Sequence, residues 1–292
     1  MTDGAASSSA PLCQPPNPDL TPAQFVAPAG SWDCHLHIIG PITEYPLVPN
    51  RSWTPVEANV EDYRRVAAAL RTEHAVVVQP SVYGTDNRCT RDAILASNGK
   101  WRGVAVLDAS VKESELQKLH EAGFRGVRIN VLFKGGLSMD ALEPIAAAIR
   151  PLGWHIQLLI DARDLPELAP RLRKLPVPFV IDHMGHMPAS LGVQHPGFQM
   201  LLQLAREGCW VKLSGAYRLS SQPYPYEDVV PFARALVAAA PSRLVWGTDW
   251  PHPSVTVPMP RDGDLLDLLP LWVPDAETRH RVLVENPAKL YG

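Results

Sequence analysis

Short, nearly continuous apolar runs alternate with amphipathic stretches over most of the chain. Ala75-Val76-Val77-Val78, the run Gly103 to Leu107, Gly126 to Val131, His155 to Ile160, Phe179 to His183, Trp210 to Gly215 and Arg243-Leu244-Val245 each read as a strand buried on both faces. An eighth strand, earlier in the chain, spans Trp32 to Ile39 and is closed by Gly40-Pro41. Its period of two predicts His35 and His37 on one face, with Cys34 and Leu36 on the other. Between the strands the spacing becomes helical. Tyr63, Val66, Ala67 and Leu70 fall at i, i+3, i+4 and i+7 behind a capping Asn59. Further helices are predicted through Ala93 to Leu95, Glu113 to Ala122, Leu142 to Ile149, Leu165 to Leu175, Phe198 to Arg206 and Val229 to Ala239, then at Leu265 to Leu269 and Ala276 to Val284. Such regular alternation predicts an α/β protein with a parallel sheet, and the length suits a (β/α)8 barrel, about 250 residues in typical cases. A doubly wound open sheet is less favoured, because Gly40 stands alone where a glycine-rich phosphate turn would follow the first strand.

Composition narrows the picture. Residues 1–30 are rich in Pro, Ser and Ala and read as a tail or wrapping segment, leaving 31–292 as a single catalytic barrel. A net charge of −3 without a basic stripe argues against nucleic acid as a partner. The four cysteines, Cys13, Cys34, Cys89 and Cys209, form no CxxC pair, and no apolar run is long enough for a membrane span. A cytoplasmic protein acting on a small molecule is the expectation.

In a barrel the C-terminal strand ends converge on one mouth, where chemistry is placed. The ends carry His35 and His37 on the first strand, Ser81 after the second, Arg128, Asn130 and Lys134 on and after the fourth, Asp161 after the fifth and His183 on the sixth. Ser214, Tyr217 and Arg218 follow the seventh, and Asp249 the eighth, with His252 nearby. Three histidines and an aspartate at one mouth point to acid–base or metal chemistry, because ionisable groups taken out of water gather chiefly at functional sites. His74 and His155 lie at strand beginnings, and Trp154, Trp210 and Trp272 read as core fillers. Arg128 and Arg218 either pair internally with Asp161 or Asp182 or bind an anionic substrate; a guanidinium matches a carboxylate in fork geometry.

Three motifs then stand out: Asp33-Cys34-His35-Leu36-His37, Val180-Ile181-Asp182-His183-Met184-Gly185 and Trp246-Gly247-Thr248-Asp249-Trp250-Pro251-His252-Pro253. They resemble the amidohydrolase superfamily, in the branch of 2-pyrone-4,6-dicarboxylate lactonases, sulfomuconolactone hydrolases and D-galactarolactone isomerases. Tyr83 to Asn87, Gly123 to Asn130 and Val284 to Gly292 extend the resemblance. It implies a distorted barrel and a hydrolase opening a small anionic lactone of aromatic breakdown, with a sugar-acid lactonase or lactone isomerase as the alternative. It implies that His35, His37 and His183 surround the lactone carbonyl, that Asp249 activates water, and that Ser81, Arg128 and Arg218 hold the substrate's anionic groups. Lys134, Trp53, Leu159 and His186 stand where the dicarboxylate lactonase has other pocket residues, so Trp53, Lys134, His186 and Tyr217 join the expected substrate-binding set. The branch contains both metal-independent and zinc enzymes. The cofactor expectation is therefore none or a single divalent metal, zinc foremost, on His35, His37, His183 and Asp249.

Overall fold

A computed structural model describes residues 10–134 and 138–292. Its eight strands form one parallel sheet in chain order: β1 Trp32–Leu36, β2 His74–Val78, β3 Trp101–Ala105, β4 Phe124–Asn130, β5 His155–Leu159, β6 Phe179–Ile181, β7 Trp210–Leu213 and β8 Leu244–Trp246. Helices α1 Val60–Leu70, α2 Arg88–Leu95, α3 Glu113–Glu121, α4 Leu142–Ile149, α5 Leu165–Leu172 and α6 Pro196–Arg206 follow β1 to β6 in turn. A short turn of helix, α7 Ala216–Leu219, and α8 Val230–Ala239 follow β7; α9 Asp262–Asp267, α10 Leu269–Trp272, α11 Ala276–His280 and α12 Asn286–Tyr291 follow β8. The expected (β/α)8 barrel is the observed one. α1 starts where its spacing predicts: Asn59 Oδ1 accepts the amides of Glu61 and Asp62, and the Asp62 carboxylate accepts the Asn59 amide. A cap of this kind contributes about 1 kcal/mol.

Two features depart from a regular barrel, and both shape the mouth. The first lies in β1, where the register shifts between Asp33 and Leu36. Cys34 packs on the barrel axis with Val76, Val78, Val104 and Val180, while Leu36 joins the outer layer against the helices. Yet His35 also faces the axis, beside Lys212 and Asp182. The irregularity thus turns two consecutive residues inward, so the strict alternation expected for Cys34 and His35 does not hold. The second is the seam. β1 and β8 form no ladder; they are joined by the Leu36–Trp250 bridge and by Asp249 N–H donating to the His35 carbonyl at 2.8 Å. The buried Asp33 carboxylate completes the seam, accepting from Thr248 N, Thr248 Oγ1 and Tyr63 Oη of α1 at 3.0, 2.6 and 3.0 Å. Gly247 is required here: a Cβ would lie 2.7 Å from His35 N.

The base of the barrel is closed by the C-terminal segment. Tyr291 stacks on Trp32 at 6.2 Å and meets His155 edge-on at 5.2 Å, consistent with a structural role for His155. Residues 10–30 are tied down along their length: Thr54 N donates to Pro11 O, Asn17 Nδ2 to Met259 O, Phe25 N to the Asp267 carboxylate and Gly30 N to the Glu73 carboxylate. Among the described residues no helix is long and apolar enough to cross a membrane.

Candidate active site

The strand ends gather most of the predicted residues around one cleft. Its polar wall holds His37, Ser81, Arg128, Asn130, His183 and His186, with Asp249 and Arg218 at one side. Its apolar wall is Trp53, Phe133, Leu159 and Pro253.

Asp249 sits at the centre, buried, on left-handed backbone with φ of 68°. His183, Met184, His186 and His252 are also left-handed, at φ of 48°, 50°, 49° and 59°. Non-glycine residues held there cost about 1–3 kcal/mol each, and such strain gathers at functional sites. The two Asp249 oxygens do different work. Oδ2 accepts from Tyr217 Oη at 2.5 Å and from Arg218 Nε at 2.6 Å. Oδ1 faces His35 Nε2, His37 Nε2 and His183 Nε2 at 3.7, 3.8 and 3.8 Å. Burial alone would push the Asp249 carboxyl up, but the Arg218 guanidinium outweighs it and holds it well below the usual range.

The imidazoles are oriented from behind. His37 Nδ1–H donates to the Val78 carbonyl at 2.7 Å, which leaves its Nε2 lone pair aimed at Asp249. His183 Nδ1 meets Ser214 Oγ at 2.8 Å, and Gly215 makes room, since a Cβ there would lie 3.0 Å from the His183 ring. His35 Nδ1 is flanked by Lys212 Nζ at 3.1 Å and Asp182 Oδ1 at 3.3 Å. Burial holds His37 down to about 4 and His183 down to about 3, and drives His35 well below its ordinary value. All three are therefore neutral near pH 7. His35 Nε2 is buried without a hydrogen-bond partner. Three neutral imidazoles and a carboxylate oxygen thus face one another, with no donor assigned to the buried His35 Nε2. His35, His37 and Asp249 offer ligand atoms within 4.8 Å of one another, and so do His35, Asp182 and His183; nitrogen and carboxylate donors of this kind suit a divalent ion of zinc type, because lone pairs converging in a buried space are stabilised by a cation or by shared protons.

Below this cluster lies a polar layer inside the barrel. Lys212 Nζ on β7 donates to Cys34 O and Gln157 Oε1, each at 2.8 Å, and lies 3.5 Å from Asp182 Oδ1. Asp182 also accepts from Gln157 Nε2 at 3.0 Å and from Arg128 at 3.5 Å. Burial would raise the Asp182 carboxyl, but Lys212, His35 and Arg128 hold it well below its usual range.

The placements sharpen the sequence reading. Ser81, Arg128, Trp53 and His186 line the cleft. Tyr217 stands behind Asp249 rather than in the cleft wall, and its hydroxyl also meets His252 Nδ1 at 3.0 Å. Lys134 is exposed and absent from the cleft wall; its backbone amide donates to Ser52 Oγ. Of the internal pairings weighed for the arginines, that of Arg128 with Asp182 is present at 3.5 Å, whereas Arg218 pairs with Asp249 and Asp161 is held by Arg163 at 2.7 Å. Sequence reasoning passed over Lys212, Gln157 and the role of Asp182. The signal was present: a lysine between Val211 and Leu213, and a glutamine between Ile156 and Leu158, are polar residues in otherwise apolar buried strands.

A parallel barrel that brings His35 of β1, His37 just past it and His183 just past β6 to an aspartate after β8 defines a barrel enzyme with its reacting centre at the C-terminal strand ends. The particular family follows from comparison: the sequence pattern of the family described as amidohydrolase matches residues 32–292, and the chain belongs to it. Among curated relatives, a 2-pyrone-4,6-dicarboxylate hydrolase of Comamonas testosteroni is 42% identical, covering 92% of this chain and 92% of its own. A 4-sulfomuconolactone hydrolase of Hydrogenophaga intermedia is 38% identical, covering 100% of this chain and 98% of its own. The apo structure of an Agrobacterium tumefaciens protein superposes with a TM-score of 0.85 at 33% identity, covering 92% of this chain and 98% of that one.

Proposed function

We propose that this protein is a lactonase that opens a small anionic lactone by attack of water on the ring carbonyl, with Asp249 as the base. The observation that carries the reading is the convergence of three imidazole nitrogens on Asp249 Oδ1, at 3.7 to 3.8 Å, in a cleft that also presents the Arg128 guanidinium. The lactone-hydrolase names of the most similar curated relatives support it.

The residues divide the work. Tyr217 and Arg218 hold Asp249 through Oδ2, so Oδ1 is the oxygen presented to the cleft. Oδ1 accepts one proton of the attacking water and returns it to the ring oxygen as the acyl–oxygen bond breaks, leaving an enol or alcohol and a carboxylic acid, which releases the water's other proton to solvent and becomes a carboxylate. Arg128, with Ser81 and Asn130 beside it, fixes the anionic substituent so that the carbonyl lies within attack distance. His35, His37, His183 and Asp249 would hold a single zinc ion, which supplies a Lewis acid for the carbonyl oxygen when bound. Ser214, the Val78 carbonyl and the Lys212–Asp182 pair keep the three rings oriented for that task. A water-activating carboxylate beside the imidazoles favours hydrolysis over lactone isomerisation. The four cysteine thiols are unpaired, which supports a reducing, cytoplasmic setting.

Asp249→Asn is the direct test. Its amide oxygen can replace Oδ2 as acceptor for Tyr217 and Arg218, so the fold and substrate binding persist. The base is lost, and kcat falls by about 10²- to 10⁴-fold with KM little changed. Full activity in this variant removes the proposed base. Elemental analysis of protein purified without added metal, before and after chelation, tests the ion: about one zinc per chain is expected, and chelated protein of undiminished activity refutes it.

A further inference from the structure

The N-terminal segment backs the cleft from outside at two places. Thr54 N donates to Pro11 O at 2.7 Å and Cys13 N donates to Thr54 O at 2.8 Å, so Thr54 is gripped through both of its backbone groups. Its hydroxyl adds a third bond, to Ala10 O at 2.8 Å. The preceding residue, Trp53, is buried and forms part of the apolar cleft wall. The same strap reaches the loop after β8, where Ser254 N donates to Cys13 Sγ at 3.3 Å. Trp53 and Pro253 therefore line the cleft on one side and, on the other, a crevice shared with Cys13, Gln14 and Pro16.

One peptide group connects this strap to the base. The Ser254 N–H that meets Cys13 and the Pro253 carbonyl belong to the same planar unit. That carbonyl accepts from a terminal nitrogen of Arg218 at 2.9 Å, and Arg218 Nε donates to Asp249 Oδ2 at 2.6 Å. Ser254 has φ of 59°, in the left-handed region that residues bearing a Cβ seldom adopt. Turning the peptide over by half a rotation would return Ser254 to extended backbone, and would swing the carbonyl away from Arg218. The observed orientation is therefore held against its own preference, by Arg218 on the oxygen and by the Cys13 sulfur on the N–H. A thiol is a weak acceptor, but among the described residues it is the acceptor this N–H meets. Resting on the lactonase reading for its catalytic consequence, we propose that Cys13 is a positioning residue of the active site. Its sulfur fixes the Pro253–Ser254 peptide, the Pro253 carbonyl holds Arg218, and Arg218 holds Asp249 with Oδ1 presented to the cleft. The N-terminal strap is then a working part of the site rather than a tail.

Crystal structures and kinetics of the full-length protein test this together. In Cys13→Ala the Pro253 carbonyl should turn away from Arg218. In the same variant kcat for 2-pyrone-4,6-dicarboxylate, followed by loss of ring absorbance, should fall by about threefold to tenfold, the equivalent of one hydrogen bond. Cys13→Ser keeps an acceptor and should return kcat to within about twofold of wild type. Adding Ser254→Gly to Cys13→Ala removes the Cβ penalty at positive φ, so the double variant should be faster than Cys13→Ala alone. A merely structural Cys13 predicts otherwise: the added glycine lowers the urea midpoint further and restores no activity. An unturned peptide in Cys13→Ala overturns the proposal. So does a Cys13→Ala kcat within about twofold of wild type in an enzyme that opens the lactone, or a loss that neither the serine nor the added glycine reduces. Wild-type protein that opens neither this lactone nor 4-sulfomuconolactone counts against the lactonase reading alone, and the peptide orientation in Cys13→Ala then decides the role of Cys13.

Discussion

Replacing Lys212 with methionine would probe the polar layer beneath the reacting cluster. The side chain is completely buried, and its ammonium makes contacts of 2.8 Å to Cys34 O, 2.8 Å to Gln157 Oε1, 3.1 Å to His35 Nδ1 and 3.5 Å to Asp182 Oδ1. Methionine matches the stem but supplies no donor. Asp182 then keeps Gln157 at 3.0 Å, His35 Nδ1 at 3.3 Å and Arg128 at 3.5 Å, and two buried carbonyl oxygens lose their hydrogen. Breaking a buried pair by removing one partner costs about 3–5 kcal/mol. That is a large share of the roughly 5–15 kcal/mol by which folded chains outweigh unfolded ones, and it corresponds to a melting temperature lower by about 10 °C. Urea unfolding followed by tryptophan fluorescence reports it, since Trp32, Trp210 and Trp246 are all buried in or around the barrel. The double variant Lys212→Met, Asp182→Asn removes the uncompensated charge and should recover about 1–3 kcal/mol relative to the sum of the single losses. Because His35 loses the group at its Nδ1, kcat should also fall by about 10- to 100-fold. A loss below about 1 kcal/mol in the single variant, or strict additivity in the double, would refute the claim that these groups act as one network.

Tyr217→Phe removes the 2.5 Å hydrogen bond to Asp249 Oδ2. The carboxylate then becomes easier to protonate, so the acid limb of kcat/KM moves to higher pH; an unmoved limb argues that Tyr217 does not act through Asp249. Gly247→Ala forces a methyl to within 2.7 Å of His35 N at the β1–β8 seam, and should cost about 1–3 kcal/mol in denaturant unfolding. In protein stripped of metal, His37 at about 4 and His183 and His155 at about 3 stay neutral while the unfolded chain takes up protons below its ordinary histidine value near 6.5. Stability therefore falls as pH drops from 6.5 towards 3, by up to a few kcal/mol per group. Asp33, raised by burial to about 6, works the other way: its contribution is full below 3.8 and lost as pH rises through 6. Melting temperatures across pH 3 to 8 should show the histidine trend dominating, and a flat profile between pH 6.5 and 4 would contradict it.

What the amino-acid order determined by itself was the architecture and the identity of the chemical groups. Apolar runs such as Ala75-Val76-Val77-Val78 can be buried on both faces only in a parallel sheet covered by helices, and the helical spacing between them supplies those helices. The rule that strand C-termini share one mouth then brings His35, His37, His183 and Asp249 together without coordinates. Local order could not reveal how charges separated by tens to hundreds of residues would pair. Arg218 meets Asp249 across 31 positions and Lys212 meets Asp182 across 30, and which carboxylate each cation meets follows from distances of 2.6 Å and 3.5 Å that no periodicity encodes. The irregularity in β1 belongs to the same class. Alternation predicts opposite faces for Cys34 and His35, whereas closing the seam to β8 through Asp33, Thr248 and Gly247 twists that strand until both look inward. Strand and helix tendencies act over a few residues and are written locally; pairing of buried charges and closure of the barrel are set by the mutual packing of the whole chain, and are decided only there.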